Sequence, residues 1–244
     1  MIKLDVCNQE SIASAVDTIK TKHGGLYGLV NNAGGWLSTD KDTVDLNLYA
    51  VINVTEAFIP VIQDEGRIVM ISSGIGPSFV SKCSEDIQKM FFNRNITFSQ
   101  VEKEIVEPFL AIKTDQSLSD ADKAAALLKK GFNENAYGLS KAALNAYTVE
   151  LSRSHPHILS NACSPGFVET DLTKGFAQKA GKTGREIGMI TIDEGAKSGV
   201  YLTMADLKAE IPDYESGRFY GSDAIRSPMH KGRNPGEPPY TGDF

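Results

Sequence analysis

Two hydrophobic rhythms alternate along this chain. Ile12, Ala15, Val16 and Ile19 recur at i, i+3, i+4 and i+7, which predicts a helix entered at a capping Asn8 and stopped at Gly24-Gly25. Residues 26–30 then form a short apolar run ending in Asn31-Asn32-Ala33-Gly34, the pattern of a buried strand feeding a loop. Residues 46–62 return to the helical period. Residues 67–71 are a second buried strand, rich in β-branched side chains, ending in Ser72-Ser73-Gly74. A helix is predicted over 136–154, and a strand over 158–164 that runs into Pro165-Gly166. Strands separated by helices of this length predict βαβ units and a doubly wound α/β fold around a parallel sheet. In such sheets ligands bind at the carboxyl ends of the strands, where all three runs carry polar or Gly-rich residues.

Residues 81–131 break the alternation. They are polar and helix-prone, with a capping-box pattern at Ser99-x-x-Glu102 before Ile105, Val106, Phe109 and Leu110, and another at Ser119-x-x-Asp122. This predicts a helical insertion within one domain. From Ser227 onward, Pro228, Pro235, Pro238 and Pro239 lie among glycines, predicting an extended or partly disordered tail over 227–244.

Composition narrows the setting. Of 244 residues 41% are hydrophobic and 23% charged, the balance of an ordinary globular protein. The net charge of −6 leaves no basic surplus for nucleic acid or an anionic membrane surface. No window holds the roughly 18 uninterrupted apolar residues of a spanning helix. Cys7, Cys83 and Cys163 are too few and scattered for a disulfide framework or thiolate metal site. The four histidines share no ligand spacing on one helix face. A soluble protein of the reducing cytoplasm, without metal, is expected.

The chemistry centres on Tyr137-Gly138-Leu139-Ser140-Lys141. A phenol and an ammonium four residues apart share one helix face. An opposite charge within ~4–6 Å lowers a pKa by about 1–3 units, moving a phenol toward proton exchange with a carbonyl or alcohol oxygen. The pair alone is weak, since eight tyrosines make a chance Tyr-x-x-x-Lys nearly expected. Its companions change the odds: Asn31-Asn32-Ala33-Gly34 after a strand, Asn47 within a helix, Ser73 in Ser73-Gly74-Ile75-Gly76, and Pro165-Gly166-Phe167-Val168-Glu169-Thr170 after the last strand.

Order and placement of these residues resemble the short-chain dehydrogenase/reductase family, over residue 4 to about residue 220. The resemblance implies a Rossmann-like sheet and a catalytic set of Asn47, Ser73, Tyr137 and Lys141. Tyr137 would protonate a substrate carbonyl, whose oxygen Ser73 would hold. Lys141 would lower the tyrosine pKa and bind the nicotinamide ribose, and Asn47 would hold a relay water. The resemblance also assigns Asn31, Ala33 and Gly34 to the segment that lines the cofactor and steadies the central sheet, and Pro165, Gly166, Val168 and Thr170 to the nicotinamide turn. Asp5 and Val6 match a strand end that contacts adenine. Ser73 is preferred to Ser72 because it fits Ser-x-x-Gly; Ser72 is expected to be structural. The 64 residues from Ser73 to Tyr137 resemble monomeric carbonyl reductases and their plant relatives. That implies a monomer that uses NADPH (NADP) in preference to NADH and reduces a small-molecule ketone or aldehyde. Trp36 and Phe167 could line the substrate pocket or serve as core or rim packing.

The chain departs from the family at its start. It has no Gly-x-Gly-x-x-Gly turn and no strand before the segment ending at Val6. By the family pattern roughly sixty residues are missing, and a truncated chain is expected. Residues 1–226 would be one incomplete domain. Loss of the central first strand would expose an apolar edge beside the strand ending at Val30, and would leave residues 4–6 away from the sheet. The alternative is a non-catalytic chain unable to hold a dinucleotide. A sugar-nucleotide epimerase, which also uses Tyr-x-x-x-Lys, would need a longer C-terminal domain.

Overall fold

The computed structural model describes residues 1–211 and 213–242. The chain runs through α1 (Gln9–His23), β1 (Leu26–Asn31) and α2 (Asp40–Val44), then a π-helical turn over Asp45–Tyr49, α3 (Ala50–Phe58) and β2 (Ile62–Ile71). Five short helices follow: α4 (Ile75–Val80), α5 (Glu85–Phe91), α6 (Phe98–Val101), α7 (Glu107–Thr114) and α8 (Asp120–Lys129). Then come α9 (Ala136–Ser154), β3 (Leu159–Cys163), α10 (Lys174–Ala180), α11 (Ile192–Met204) and α12 (Leu207–Glu210). β4 (Phe219–Tyr220) and β5 (Arg226–Ser227) complete the sheet.

The strands lie in the order β1-β2-β3-β4-β5. Three pairs are parallel, with Val30 opposite Val69 and Val69 opposite Asn161. The last pair is antiparallel, so the sheet is mixed where the sequence predicts a parallel one. Ile68, Met70 and Ala162 face α9 and the helices beside it. Val69 and Cys163 face the opposite way, onto Leu202 of α11 and Leu207 of α12. Helices therefore cover both faces, as a doubly wound fold requires.

Local chemistry explains most boundaries. Asn8 accepts a hydrogen bond from the Ser11 amide at the start of α1, and Gly24 ends it in the left-handed region at φ 73°. The run from Asp40 to Val61 is long and apolar enough, by length and composition, to cross a bilayer. Its Val44, Leu48, Val51, Val54 and Phe58 are nevertheless buried in the protein, as in a core helix. This helix starts at Asp40 because Thr39 caps it, six residues before the apolar period begins.

The insertion belongs to the main core: Ile87, Phe91, Val101, Ile105, Phe109 and Leu127 pack in one cluster with Leu139 and Leu144 of α9. Its first predicted cap is displaced, because the capping box is Thr97 with Gln100, not Ser99 with Glu102. Ser119 does accept the Asp122 amide, as expected.

Residues 1–7 lie in no strand and lead into α1, so Asp5 and Val6 stand away from the sheet, as expected for residues 4–6. Asp5 accepts from the Cys7 amide, and Val6 packs against the α1–α3 cluster. Beyond β5 the described tail, through residue 242, holds no helix or strand and is tied down by local contacts. Arg233, its side chain 5% exposed, pairs with Asp223 and donates to Ser227 Oγ and the Glu237 carbonyl. The Tyr240 amide donates to the Arg226 carbonyl. The exposed edge is present as expected: β1 pairs on one side only, and Tyr27 and Val30 are exposed along it.

Candidate active site

Helix α9 positions two of the site residues. Asn135 caps it by accepting from the Gly138 amide at 2.8 Å, which sets the first turn and with it Tyr137. Four residues on, Lys141 is 4% exposed and its Nζ donates to the Ile71 carbonyl at 2.9 Å, tying the helix to the end of β2. Gly76 makes room for this approach. A Cβ there would sit 3.0 Å from the backbone of Lys141 and Ala142.

Ser73 follows β2 and receives the Ile75 amide at 3.2 Å. Its hydroxyl is near enough to the Tyr137 phenol to draw that pKa down, whereas Ser72 is buried and donates to the Lys141 carbonyl. Asn47 lies in the π turn, a deformation that recurs at functional sites. Its Oδ1 accepts from the Gly35 amide at 3.0 Å, and its Nδ2 donates to the carbonyls of Gly35 and Thr43. Both of its donors are therefore spent on backbone. A Cβ on Gly34 would lie 2.6 Å from Asn47 Oδ1 and 3.6 Å from Lys141 Nζ, so only glycine leaves the space that both atoms border.

Burial sets the electrostatics of the site. Burial pushes the Tyr137 phenol above its ordinary value, and the Ser73 hydrogen bond brings it only part of the way back. Lys141 sits with its Nζ 5.7 Å from the tyrosine ring centroid and donates to the Ile71 carbonyl. Burial lowers Lys141 itself to about 8. The neighbouring Cys163 thiol is pushed up to about 12 by burial and stays protonated at neutral pH.

The remaining expected residues separate into two groups. Gly166 (φ 87°) and Thr170 lie in the turn after β3, which Ile190 braces through the Phe167 carbonyl and the Glu169 amide. The Thr170 amide donates to Thr173 Oγ1, and Val168 bridges Ile190. Pro165 precedes this turn; Ala33 and Gly34 are exposed on the loop after β1. Asn31 is buried, with its amide donating to Thr55 Oγ1 at 2.9 Å, so its side chain steadies the sheet. Asp5 and Val6 lie at the entry to α1.

One feature lies outside the expected catalytic set. Trp36 stacks on Tyr137, with ring centroids 4.5 Å apart, and meets the edge of Phe176, which in turn meets Phe167. Nothing in local sequence periodicity predicts a contact between residues 36, 137 and 176. Among the described residues no group of three or more His, Cys, Asp or Glu could hold a metal.

A phenol, a serine hydroxyl and a buried ammonium at the carboxyl ends of parallel strands define a site for moving a proton to or from a substrate oxygen. Residues 1–84 match the family model of the short chain dehydrogenases. Carbonyl reductase [NADPH] 3 of Rattus norvegicus is 30% identical over 225 residues, 86% of this chain and 74% of that protein. Carbonyl reductase [NADPH] 1 of Bos taurus is 30% identical over 228 residues, 87% and 75% of the two chains. The chain belongs to the short-chain dehydrogenase family and is an oxidoreductase similar to the carbonyl reductases. Among solved structures, salutaridine reductase from Papaver somniferum superposes with a TM-score of 0.68 at 26% identity, covering 89% of this chain and 80% of that one. Menthone neomenthol reductase from Mentha piperita gives 0.60 at 25% identity, covering 90% and 78%.

Proposed function

We propose that this protein reduces a ketone or aldehyde to an alcohol with NADPH, as a cytoplasmic monomer. The observation that carries this reading is the convergence of Ser73, Tyr137 and Lys141 at one sheet end, with Gly34 leaving open the space beside Lys141 Nζ and Asn47 Oδ1. A nicotinamide dinucleotide, when bound, supplies the hydride. Lys141, Thr170 and the Pro165–Gly166 turn would hold its nicotinamide end. Tyr137, kept protonated by burial, donates its O–H proton to the substrate oxygen, and Ser73 donates a hydrogen bond to the same oxygen. Lys141 holds positive charge below about pH 8 beside the phenolate left behind. The preference for NADPH over NADH is drawn from the similar carbonyl reductases, which are NADPH enzymes by name. A single protomer is favoured by the insertion, whose Phe98 packs edge-on against Tyr49 and Tyr147 and covers the outer face of α9.

A second reading is a chain that binds no dinucleotide. It is favoured by the absence of a Gly-x-Gly-x-x-Gly turn from these 244 residues and by the placement of Asp5 and Val6 outside any strand.

Steady-state NADPH consumption with a panel of simple ketones tests both readings. Under the first, Tyr137→Phe lowers kcat by ~10²–10⁴-fold, the usual contribution of a general acid, with the fold intact by circular dichroism. A folded wild-type chain that neither binds NADPH nor consumes it establishes the second.

A further inference from the structure

We propose that Trp36 determines which carbonyl compounds reach Tyr137, by presenting a fixed aromatic wall that favours planar, ring-bearing ketones over saturated ones of similar size. This rests on the reading of the site as a carbonyl reductase. Trp36 is pinned on both flanks: Asn47 clamps the amide and carbonyl of Gly35, and the Leu37 amide donates to Thr43 Oγ1 at 3.0 Å. A tryptophan held so firmly would ordinarily be core, yet Trp36 is 38% exposed and joins none of the three buried clusters. Its ring lies against Tyr137, whose hydroxyl delivers the proton, and its edge contact is Phe176, 48% exposed, followed by Phe167, 37% exposed. Leu172, also exposed in the turn after β3, approaches the neighbouring Gly35, 3.5 Å from where its Cβ would stand.

The wall thus combines the loop after β1 with the turn after β3, and the proton donor lies at its foot. An apolar surface of this kind beside a catalytic group is a binding surface. Its rings present flat π faces and edges, which another aromatic ring meets more favourably than its buried area alone accounts for. A saturated ring of equal size has no such complement. Asn47 acquires a positioning role here, because its side chain fixes the backbone from which the indole projects.

Phenyl methyl ketone and cyclohexyl methyl ketone are similar in size but differ in planarity and in conjugation of the carbonyl, so the change in the ratio of their kcat/KM values on substitution, from which intrinsic reactivity cancels, reads the wall. The full chain is expected to favour the phenyl compound. Trp36→Ala is expected to cut the ratio about tenfold, the equivalent of 1.4 kcal/mol, mainly through a higher KM for the phenyl ketone. Trp36→Phe, which keeps an aromatic face, is expected to restore most of the preference. A ratio unchanged in Trp36→Ala, with both rates moving together, overturns the proposal and leaves Trp36 a structural residue. If the wild type consumes no NADPH, the reductase reading fails separately. Saturation-transfer NMR with the same two ketones then decides: phenyl-selective binding lost in Trp36→Ala supports the wall, and equal or absent binding sinks it.

Discussion

At the scale of single residues, the site is governed by burial. Lys141 keeps its proton up to about pH 8 in the folded chain, against 10.5 as an ordinary lysine. Between these values the unfolded chain binds more protons, so stability rises with pH across that interval. Below about 8 both states are protonated and the cost of burying the ammonium is present in full. The interval is worth roughly 3 kcal/mol at about 1.4 per unit. Urea unfolding of the wild type and Lys141→Met should show their stability gap shifting by that order, in favour of the wild type, between pH 7.5 and 10.5. A gap independent of pH would mean that the lysine is solvated or paired. A second expectation concerns Gly34. Gly34→Ala places a methyl 2.6 Å from Asn47 Oδ1, so the clamp on Gly35 must open. Its kcat should fall at least tenfold, with a blue or red shift in Trp36 emission (the only tryptophan) reporting the moved wall.

Elements show how far local pattern reaches. The range of α9 is legible from sequence to the residue, because Asn135 precedes an unbroken helical period that ends before Pro156. The serine pair is legible too, since Ser-x-x-Gly distinguishes Ser73 from Ser72. Thr97 was obscured by Ser99, which offers the same box pattern two residues later; the hydrophobic contacts of Phe98 decide between them, and those are tertiary. The direction of Lys141 toward Ile71 is hidden for the same reason, as the carbonyl lies seventy residues away. Proline and glycine in the tail exclude helix and say nothing of Arg233 reaching Asp223. The cap of α9 is testable at this scale. Asn135→Ala should cost about 1 kcal/mol by thermal or urea unfolding. It should also lower kcat more than it changes KM, because Tyr137 occupies the loosened turn; an effect on stability alone would show that the turn holds without its cap.

For the whole molecule, the unguarded side of the sheet matters most. β1 is uncharged, carries no proline, and exposes Tyr27 and Val30 beside unpaired backbone groups. Light scattering should therefore show aggregation that grows with concentration. Val30→Lys should suppress it without altering the midpoint of urea unfolding by more than about 0.5 kcal/mol, the range of surface substitutions. Equal scattering from both chains would place the cause elsewhere.

The insertion has a consequence for how the chain folds. β2 and β3 are hydrogen-bonded neighbours at the heart of the sheet, yet Arg67 and its partner Leu159 are separated by roughly ninety residues of chain. Each doubling of such a loop adds only about 0.6 kcal/mol of closure entropy, so equilibrium stability tolerates it. Kinetics do not, because pairings this remote form late and set the pace. Since Phe109 and Leu127 share their packing with α9, the insertion must collapse before β3 can find its place. Ser73 opens that loop and Tyr137 lies on α9, the helix that returns it to β3. The catalytic centre is thus assembled in the slow step of folding, and recovery of activity after dilution from urea should trail the return of helical signal.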